Sequence, residues 1–217
     1  MPTELHRPLS YLITSGETTP ATSPQSEEFS RLLALVRTAV AARVSLVQLR
    51  EKQLRSRVLY ELTARTADIT SGGWTRLLVN DRADIARAAG ADGVHLAAQS
   101  IPAANIRQSF GGDFLIGVST HTPAEARAAR EDGADFAVFG PIFDTPSKRA
   151  FGPPLGLASL RAAAHALAPF PLIAIGGVTL ENAAAVLRAG ASGIAAIRLF
   201  GEAESVRRVV EGIESLR

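Results

Sequence analysis

Two hydroxyl side chains and one amine follow a short apolar run in the middle of the chain. The run, residues 136–140 (FAVFG), is apolar or glycine throughout, which is typical of a strand buried on both faces of a parallel sheet. Thr145, Ser147 and Lys148 come soon after its end. Hydroxyl and ammonium groups at the carboxyl end of a buried strand are the groups with which an α/β protein binds an anion. A surface loop with a solvated Lys148 is the alternative interpretation.

Polar residues follow other apolar runs of the chain in the same way. The active sites of α/β barrels lie where strands end and the following loops begin. Because the carboxyl ends of parallel strands meet at one face, we expect the groups at such positions to converge there. The residues concerned are Gln48, Arg50, Lys52, Asn80, Asp81, Ser119, His121, Gly176, Gly177 and Arg198.

Phosphate binding is the chemistry that these residues favour. Gly176 and Gly177 allow backbone N–H groups to approach phosphate oxygens, and the loops after the last two strands form the usual phosphate site of a barrel. A tight turn that needs positive φ is the alternative for this pair. Arg50, Lys52 and Lys148 are suited to neutralise a more highly charged group such as a diphosphate.

Two further side chains have both a catalytic and a structural interpretation, and a third has a structural one. Asp81 suits Mg²⁺, which binds through one or two carboxylates and phosphate oxygens, or else it pairs with Arg82 or caps the following helix. His121 is a candidate general acid or base, although a lone histidine beside a strand end is more often structural. We expect His95, in the short run GVHL, to be a hydrogen-bonded core residue.

Composition restricts the class of protein. The chain has 217 residues, 47% of them hydrophobic and 20% charged, as expected for one globular domain over residues 1–217. A net charge of +2 does not indicate nucleic-acid binding, and the lack of cysteine excludes disulfides, thiolate catalysis and zinc–thiolate sites. Neither a long apolar run for a membrane span nor the apolar segment of a signal peptide is present. We therefore expect a cytoplasmic protein, and its oligomeric state, a homo-oligomer included, is left open.

The elements that must position these groups recur along the chain as strand–helix units. Three segments repeat a helix-ending glycine, a short turn and an apolar strand: GAD at 90–92, GAD at 133–135 and GAS at 190–192. Eight such units in about 200–250 residues predict a (β/α)₈ TIM barrel, with a doubly wound open sheet as the alternative. The predicted strands are residues 9–13, 44–49, 77–79, 93–96, 115–118, 136–140, 172–175 and 193–197. The predicted helices begin at Ser26 and cover 56–69, 103–110, 123–131, 157–168, 180–188 and 203–216.

Several segments together resemble the thiamine phosphate synthase/TenI superfamily. They are VQLREK, LLVNDRAD, GADGVHL, GVSTHT, GADFAVFGPIFDTPSK and LIAIGGVTLENAAAVLRAGASGIAAI. They extend from the second predicted strand to the eighth, in order and with regular spacing. The resemblance implies a TIM barrel that handles the thiazole phosphate of thiamine biosynthesis.

Carried over to this chain, the resemblance implies two substrate sites. It places a pyrimidine diphosphate at Gln48, Leu49, Arg50, Glu51, Lys52, Asn80, Ser119 and Lys148. It places the thiazole phosphate at Thr145, Pro146, Ser147, Gly177, Ile197 and Arg198.

The same resemblance implies a Mg²⁺ site that this chain lacks in part. Asp81 matches one ligand, and the second is expected at the end of a segment that synthases typically read HLGQED. Here the segment is HLAAQS and ends at Ser100, whose hydroxyl is a poor substitute for a carboxylate. Arg198 also stands where synthases commonly have serine. Thiazole tautomerases of the TenI type share the fold, do not need the metal site, and can use a histidine that matches His121.

Three functions follow from these patterns. A synthase would join the pyrimidine to the thiazole phosphate with release of diphosphate, a tautomerase would shift a proton on a thiazole carboxylate phosphate, and a third possibility is a non-catalytic binder of thiazole phosphate. The synthase is favoured, because a tautomerase has no evident need for the whole set of diphosphate-binding residues. The residues of the diphosphate-binding set are Gln48, Arg50, Lys52, Asn80, Asp81 and Lys148. The expected cofactor is Mg²⁺, and the expected partners are small phosphorylated substrates rather than nucleic acid or a membrane.

Overall fold

The chain folds into a closed barrel of eight parallel strands in a computed structural model that describes residues 8–145, 153–201 and 203–216. Consecutive strands pair with one another, and the last closes the barrel against the first, with Gly193 opposite Leu9. The predicted TIM barrel is thereby confirmed and the open sheet excluded. The strands are β1 Leu9–Ile13, β2 Leu46–Leu49, β3 Arg76–Asn80, β4 Gly93–Leu96, β5 Leu115–Thr120, β6 Phe136–Phe139, β7 Leu172–Ile175 and β8 Gly193–Ala196.

A layer of helices surrounds the strands. A helix follows each strand along the chain, as parallel pairing requires. None of the helices in the described ranges has both the length and the apolar character that a membrane crossing needs. The helices are α1 Glu27–Ala41, α2 Ser56–Thr70, α3 Ala83–Ala88, α4 Ala103–Phe110, α5 Pro123–Glu131, α6 Gly156–Leu167, α7 Leu180–Arg188 and α8 Ala203–Glu214, with a 3₁₀ turn at Arg198–Phe200.

Strand alternation divides the apolar side chains between two cores. On β6, Phe136 and Val138 pack inside the barrel, whereas Ala137 and Phe139 pack beneath the helices. All four are buried, as predicted for a strand covered on both faces. Since the side-chain period of a strand is two residues, the rows that point inward continue to the carboxyl end, where they reach the cavity described below.

The repeated GAD segments stabilise the opposite, amino-terminal face of the barrel. Asp92 accepts a hydrogen bond from the Leu77 N–H (2.7 Å), and Asp135 accepts one from the Ile116 N–H (2.7 Å). Each aspartate therefore binds a backbone donor at the start of the preceding strand. The Asp135 carboxylate also pairs with the Arg107 guanidinium at 2.7 Å.

The ends of five strands differ from the prediction. β3 extends one residue further at each end, to Arg76 and Asn80, and β6 ends at Phe139 instead of Gly140. β2 begins at Leu46 rather than at residue 44, because the Ser45 N–H donates to the Ser10 hydroxyl (3.0 Å). β5 continues to Thr120, since Ser119 and Thr120 still pair with β6, so Ser119 lies within the strand and not after it. β8 ends at Ala196, and Arg198 begins the 3₁₀ turn instead of ending the strand.

Candidate active site

A cavity of about 680 Å³ opens at the carboxyl ends of the strands. This volume lies within the usual range for small-molecule sites. All eight strands, or the residues directly after them, contribute to its lining. The sequence-predicted residues that line it are Gln48, Arg50, Lys52, Asn80, Ser119, His121, Thr145, Gly176, Gly177, Ile197 and Arg198.

Three predicted residues are not part of the described cavity lining: Leu49, Glu51 and Asp81, which is described below. Leu49 is fully buried in the core beneath the helices, because it alternates with the inward-facing Gln48 and Arg50. Glu51 is also buried and is absent from the described lining. Pro146, Ser147 and Lys148, which were predicted to bind substrate, lie outside the described residues.

The Glu51 carboxylate binds the segment that follows β1. Its Oε1 accepts hydrogen bonds from the Thr14 hydroxyl (2.5 Å) and the Gly16 N–H (3.3 Å). Its Oε2 accepts from the hydroxyl (2.6 Å) and the N–H (3.4 Å) of Thr18. The Thr14 hydroxyl in turn accepts from the Arg50 N–H at 2.8 Å. The side chain of Glu51 therefore holds this loop beside Arg50.

The cavity is cationic. Arg50, Lys52 and Arg198 line it, and none of its described lining residues is a carboxylate. Within the described ranges, these three cations form no salt bridge. Uncompensated cations in a cleft with low-dielectric walls attract anions and raise their local concentration. The electrostatics of the cavity therefore favour a phosphorylated ligand.

The glycine pair after β7 packs tightly against the loop after β6. Gly176 and Gly177 have φ of +94° and +65°, which confirms a turn that needs positive φ. A Cβ on Gly176 would lie 2.5 Å from the Pro141 Cβ, and one on Gly177 would lie 2.7 Å from the Phe143 Cβ. Both residues line the cavity, so the turn brings bare backbone to the place where a phosphate is expected.

The N-terminus of α7 lies beside this turn. Thr179, the N-cap of α7, forms a reciprocal capping box with Asn182. The Asn182 side chain also donates to the Gly177 carbonyl (3.0 Å), which ties the glycine turn to the helix. Val178 and Thr179 both line the cavity. Helix N-termini favour anions, so this end of α7 adds to the positive potential. Neither Val178 nor Thr179 was among the residues predicted from the sequence.

His121 is held in one tautomer. Its Nδ1 lies 2.6 Å from the Gly140 carbonyl oxygen, and because a carbonyl can only accept, Nδ1 carries the proton. Its backbone N–H donates to Glu125 (2.6 Å). No described residue forms a hydrogen bond with Nε2, so this atom keeps a lone pair that can accept a proton. The position at the cavity and the tautomer suit an acid or base.

A series of hydrogen bonds crosses the floor of the cavity. Ser119 Oγ lies 2.9 Å from His95 Nε2, and His95 Nδ1 lies 3.1 Å from the Tyr11 hydroxyl. The Tyr11 hydroxyl donates to Gln48 Oε1 (3.2 Å), and Gln48 Nε2 donates to Asn80 Oδ1 (3.0 Å). We call this series, with the carboxylate at its end, the polar relay: Ser119, His95, Tyr11, Gln48, Asn80 and Asp81.

Burial keeps the centre of the polar relay uncharged. Burial lowers the pKa of His95 to about 4, against a smaller opposing effect of the Asp81 charge, and raises the pKa of Tyr11 well above its usual value. His95 is thus a hydrogen-bonded core residue, as expected. Tyr11 was not among the predicted site residues. Its signal in the sequence is a hydroxyl at an inward-facing position of a short buried strand.

Asp81 lies at the rim, with its charge unneutralised by any described cation. Oδ2 accepts from Asn80 Nδ2 (2.8 Å), and Oδ1 accepts from the Ala97 N–H (2.9 Å) and the Ser100 hydroxyl. The predicted pairing with Arg82 is not observed, because Arg82 binds Asp84 (2.6 Å). Nor does Asp81 cap α3, whose N-cap is Arg82.

These donors fit Mg²⁺ better than they fit a metal that needs a protein cage. Within the described residues, no three or more His, Asp or Glu side chains are grouped so that they could hold a metal. Mg²⁺ is commonly bound by one or two carboxylates together with substrate phosphates. Asp81 supplies one free charge, and Ser100 stands directly beside it. The arrangement therefore suits an ion that arrives with a phosphorylated ligand.

Comparison with known proteins identifies the family. The family described as thiamine monophosphate synthase matches residues 18–200. The thiamine-phosphate synthase of Moorella thermoacetica is 41% identical, over 85% of this chain and 90% of that protein. The one of Anaeromyxobacter dehalogenans is 44% identical, over 76% and 73%.

A solved structure agrees with these relatives. Thiamine phosphate pyrophosphorylase from Pyrococcus furiosus superposes with a TM-score of 0.79 and 29% identity, over 96% of this chain and 94% of the other. The match therefore covers nearly the whole chain. On the sequence match and the shared fold together, the chain belongs to the thiamine monophosphate synthase family.

Proposed function

We propose that this chain is a thiamine-phosphate synthase, a transferase that joins hydroxymethylpyrimidine diphosphate to thiazole phosphate and releases diphosphate. The observation that carries the proposal is the charge of the cavity. Arg50, Lys52 and Arg198 face a volume in which no described residue places a carboxylate. Two phosphorylated substrates need such a site, and relatives with this activity in their names share 41% and 44% of their aligned residues with this chain.

The reaction places its largest change of charge on the leaving group. The bond between the pyrimidine methylene carbon and the diphosphate oxygen breaks, and its electron pair leaves with the diphosphate. The methylene cation is then captured by the lone pair of the thiazole nitrogen, which forms the new C–N bond. Fixed cations beside the leaving oxygen stabilise the transition state more than the ground state. We assign this role to Arg50 and Lys52, together with Lys148, which lies outside the described residues.

The thiazole phosphate is assigned to the other side of the cavity. Gly177, Ile197 and Arg198 line it after β7 and β8, and the N-terminus of α7 lies beside them. Thr145 also lines the cavity and is buried. Positive φ at Gly177 and an exposed guanidinium at Arg198 suit a monophosphate. The two anionic groups would thus enter the barrel at separate cationic positions.

Mg²⁺ is the proposed cofactor, with Asp81 as its protein carboxylate. When bound, the ion neutralises charge on the diphosphate. The Ser100 hydroxyl donates to Asp81 and brings no second charge. We therefore expect Mg²⁺ to be held more weakly here than by a pair of carboxylates.

The proposal is tested with both substrates and a matched pair of variants. Lys52 and Arg55 are exposed cations of the same loop, and only Lys52 lines the cavity. Loss of a hydrogen bond to a charged group costs about 1.5–3 kcal/mol, so Lys52→Ala should lower the rate of thiamine phosphate formation about 10- to 100-fold. Arg55→Ala should leave the rate unchanged. Equal rates for both variants would remove Lys52 from the mechanism.

The tautomerase remains a second candidate because of His121. Its Nδ1 proton is held by the Gly140 carbonyl, and its Nε2 is free to exchange a proton with a ligand in the cavity. If the chain shifts a proton on a thiazole carboxylate phosphate, His121→Asn should abolish that activity and spare the synthase. His165→Asn, an exposed histidine on α6, is the control. Equal, large losses of both activities in His121→Asn would show a structural role.

A further inference from the structure

The direction of the hydrogen bonds in the polar relay follows from one charge. An ionised carboxylate only accepts, so Asn80 turns its amide nitrogen toward Asp81 and its oxygen toward Gln48. Gln48 then donates with Nε2, which places its Oε1 toward Tyr11. The Tyr11 hydroxyl donates its single proton to that oxygen. Each amide therefore has its orientation set by the group that follows it toward the rim.

The Tyr11 hydroxyl determines the tautomer of His95. Because Tyr11 has donated its proton to Gln48, its oxygen can only accept from His95 Nδ1, so Nδ1 carries the ring proton. His95 is neutral, since burial lowers its pKa to about 4, and Nε2 therefore holds a lone pair. Ser119 must then donate its hydroxyl proton to Nε2. A carboxylate at the rim thus determines how a serine on β5 uses its proton.

The ring of His95 is held in place by packing as well. Its centroid lies 5.8 Å from that of Tyr11 and 6.2 Å from that of Phe136. Gly117 makes room for it, because a Cβ at that position would lie 2.8 Å from His95 Nδ1 and 2.4 Å from the Phe136 ring. A flip of the imidazole would need these neighbours to move. The polarity of the relay is therefore built into a packed floor.

We propose that Tyr11 and His95 are positioning residues, which transmit the orientation set by Asp81 to Ser119 and make Ser119 a hydrogen-bond acceptor toward the cavity. Because the Ser119 hydroxyl donates its proton to His95 Nε2, the Ser119 oxygen can only accept a hydrogen bond from a ligand. The ligand group that meets Ser119 is accordingly an N–H or O–H donor. With the opposite tautomer, Nε2 would donate to Ser119 and free its hydroxyl proton for an acceptor. The identification of that ligand as the pyrimidine diphosphate rests on the proposed function, whereas the orientation of the hydrogen bonds does not.

The tautomer can be measured in the ligand-free protein without added metal. Long-range ¹H–¹⁵N correlation of ¹⁵N-labelled histidines distinguishes a protonated Nδ1 from a protonated Nε2, and a His95→Gln variant identifies the signals of this ring. We expect the Nδ1–H tautomer. In Tyr11→Phe, Nδ1 loses its acceptor while Ser119 can accept from Nε2, so the signals should change to the Nε2–H tautomer. The Nε2–H form in the unaltered protein, or no change in Tyr11→Phe, would overturn the proposal.

Two further variants check the direction of the relay. Ser10→Ala removes another buried hydroxyl of β1, one that is bonded to Ser45 on the outer face, and should not change the tautomer. Ser119→Ala should also keep Nδ1–H, since Tyr11 still accepts from it. A change to Nε2–H in Ser119→Ala would mean that Ser119, rather than Asp81, sets the orientation. This variant decides the question even if Tyr11→Phe folds poorly.

Kinetics separate a positioning role from a structural one. Loss of oriented hydrogen bonding should raise the KM of Tyr11→Phe for the pyrimidine diphosphate about five- to tenfold. The KM for thiazole phosphate, which is assigned to the other side of the cavity, should stay the same. Equal increases in both KM values, or none, would contradict positioning. If the unaltered protein makes no thiamine phosphate, the proposed function fails, while the tautomer measurement still decides the relay.

Discussion

Glu51→Gln is expected to destabilise the protein strongly although it changes one atom. The carboxylate accepts two hydroxyl and two backbone N–H hydrogen bonds from Thr14, Gly16 and Thr18. In glutamine, one oxygen becomes an NH₂ group, which faces two of these donors instead of accepting from them. Each hydrogen bond to a charged group contributes about 1.5–3 kcal/mol, so the loss should be about 3–5 kcal/mol. The lower end applies if the loop moves to relieve the contact.

Denaturant unfolding measures this loss, with Glu61→Gln as the matched control. Glu61 pairs with Arg65 on the surface of α2, and an exposed pair contributes about 0–1 kcal/mol. Because Thr14 also accepts a hydrogen bond from the Arg50 N–H, Glu51→Gln should raise the KM for the pyrimidine diphosphate as well. A change in stability as small as that of Glu61→Gln would refute the view that Glu51 anchors this loop.

Three further predictions concern other parts of the site. Gly177→Ala should raise the KM for thiazole phosphate and cost about 2–3 kcal/mol through strain and overlap, whereas Gly72→Ala, at nearly the same φ (+66°) but in open space, should cost only about 1 kcal/mol. Since the unfolded state binds a proton to His95 at higher pH than the folded state, stability should fall by about 3 kcal/mol as pH drops from about 6.5 toward 4. His95→Asn should lose that part of the pH dependence. Ser100→Asp adds a carboxylate beside Asp81, so a synthase should need less Mg²⁺, whereas a tautomerase should bind its anionic substrate more weakly. If neither the Mg²⁺ requirement nor the substrate affinity changes, the assigned metal position is contradicted.

The fold was predictable because its signals are local. Apolar runs with glycines between them gave β1, β7, α4, α5 and α7 with the same ends that the structure has. Short α3, at Ala83–Ala88, was missed, since six residues form too few turns for a helical period to stand out. The ends of β2, β3, β5, β6 and β8 were displaced by one or two residues. They depend on hydrogen bonds with neighbouring strands, which the sequence of one strand does not contain.

The site was predictable only where position on the strand decides the role. Gln48, Arg50 and Lys52 were predicted to bind substrate and line the cavity, whereas Leu49 and Glu51, which alternate with them and were predicted with them, do not line it. The groups that donate hydrogen bonds to Glu51 lie on a loop about 35 residues earlier in the chain. They could not be inferred from the segment VQLREK alone.

The polar relay was not predictable for the same reason. Its central members come from β1, β2 and β4 and meet only when the barrel closes. By contrast, the proximity of Asp81 and Ser100 was to be expected from the resemblance described above, which implies metal ligands at these two positions.

The central claim is that one cationic cavity joins the two phosphorylated substrates. The most direct measurement follows both products by ³¹P NMR after the purified protein is mixed with hydroxymethylpyrimidine diphosphate, thiazole phosphate and Mg²⁺. We expect thiamine phosphate and diphosphate to form in equal amounts, and neither to form when a chelator removes the metal. A folded protein that binds both substrates and forms no thiamine phosphate would contradict it.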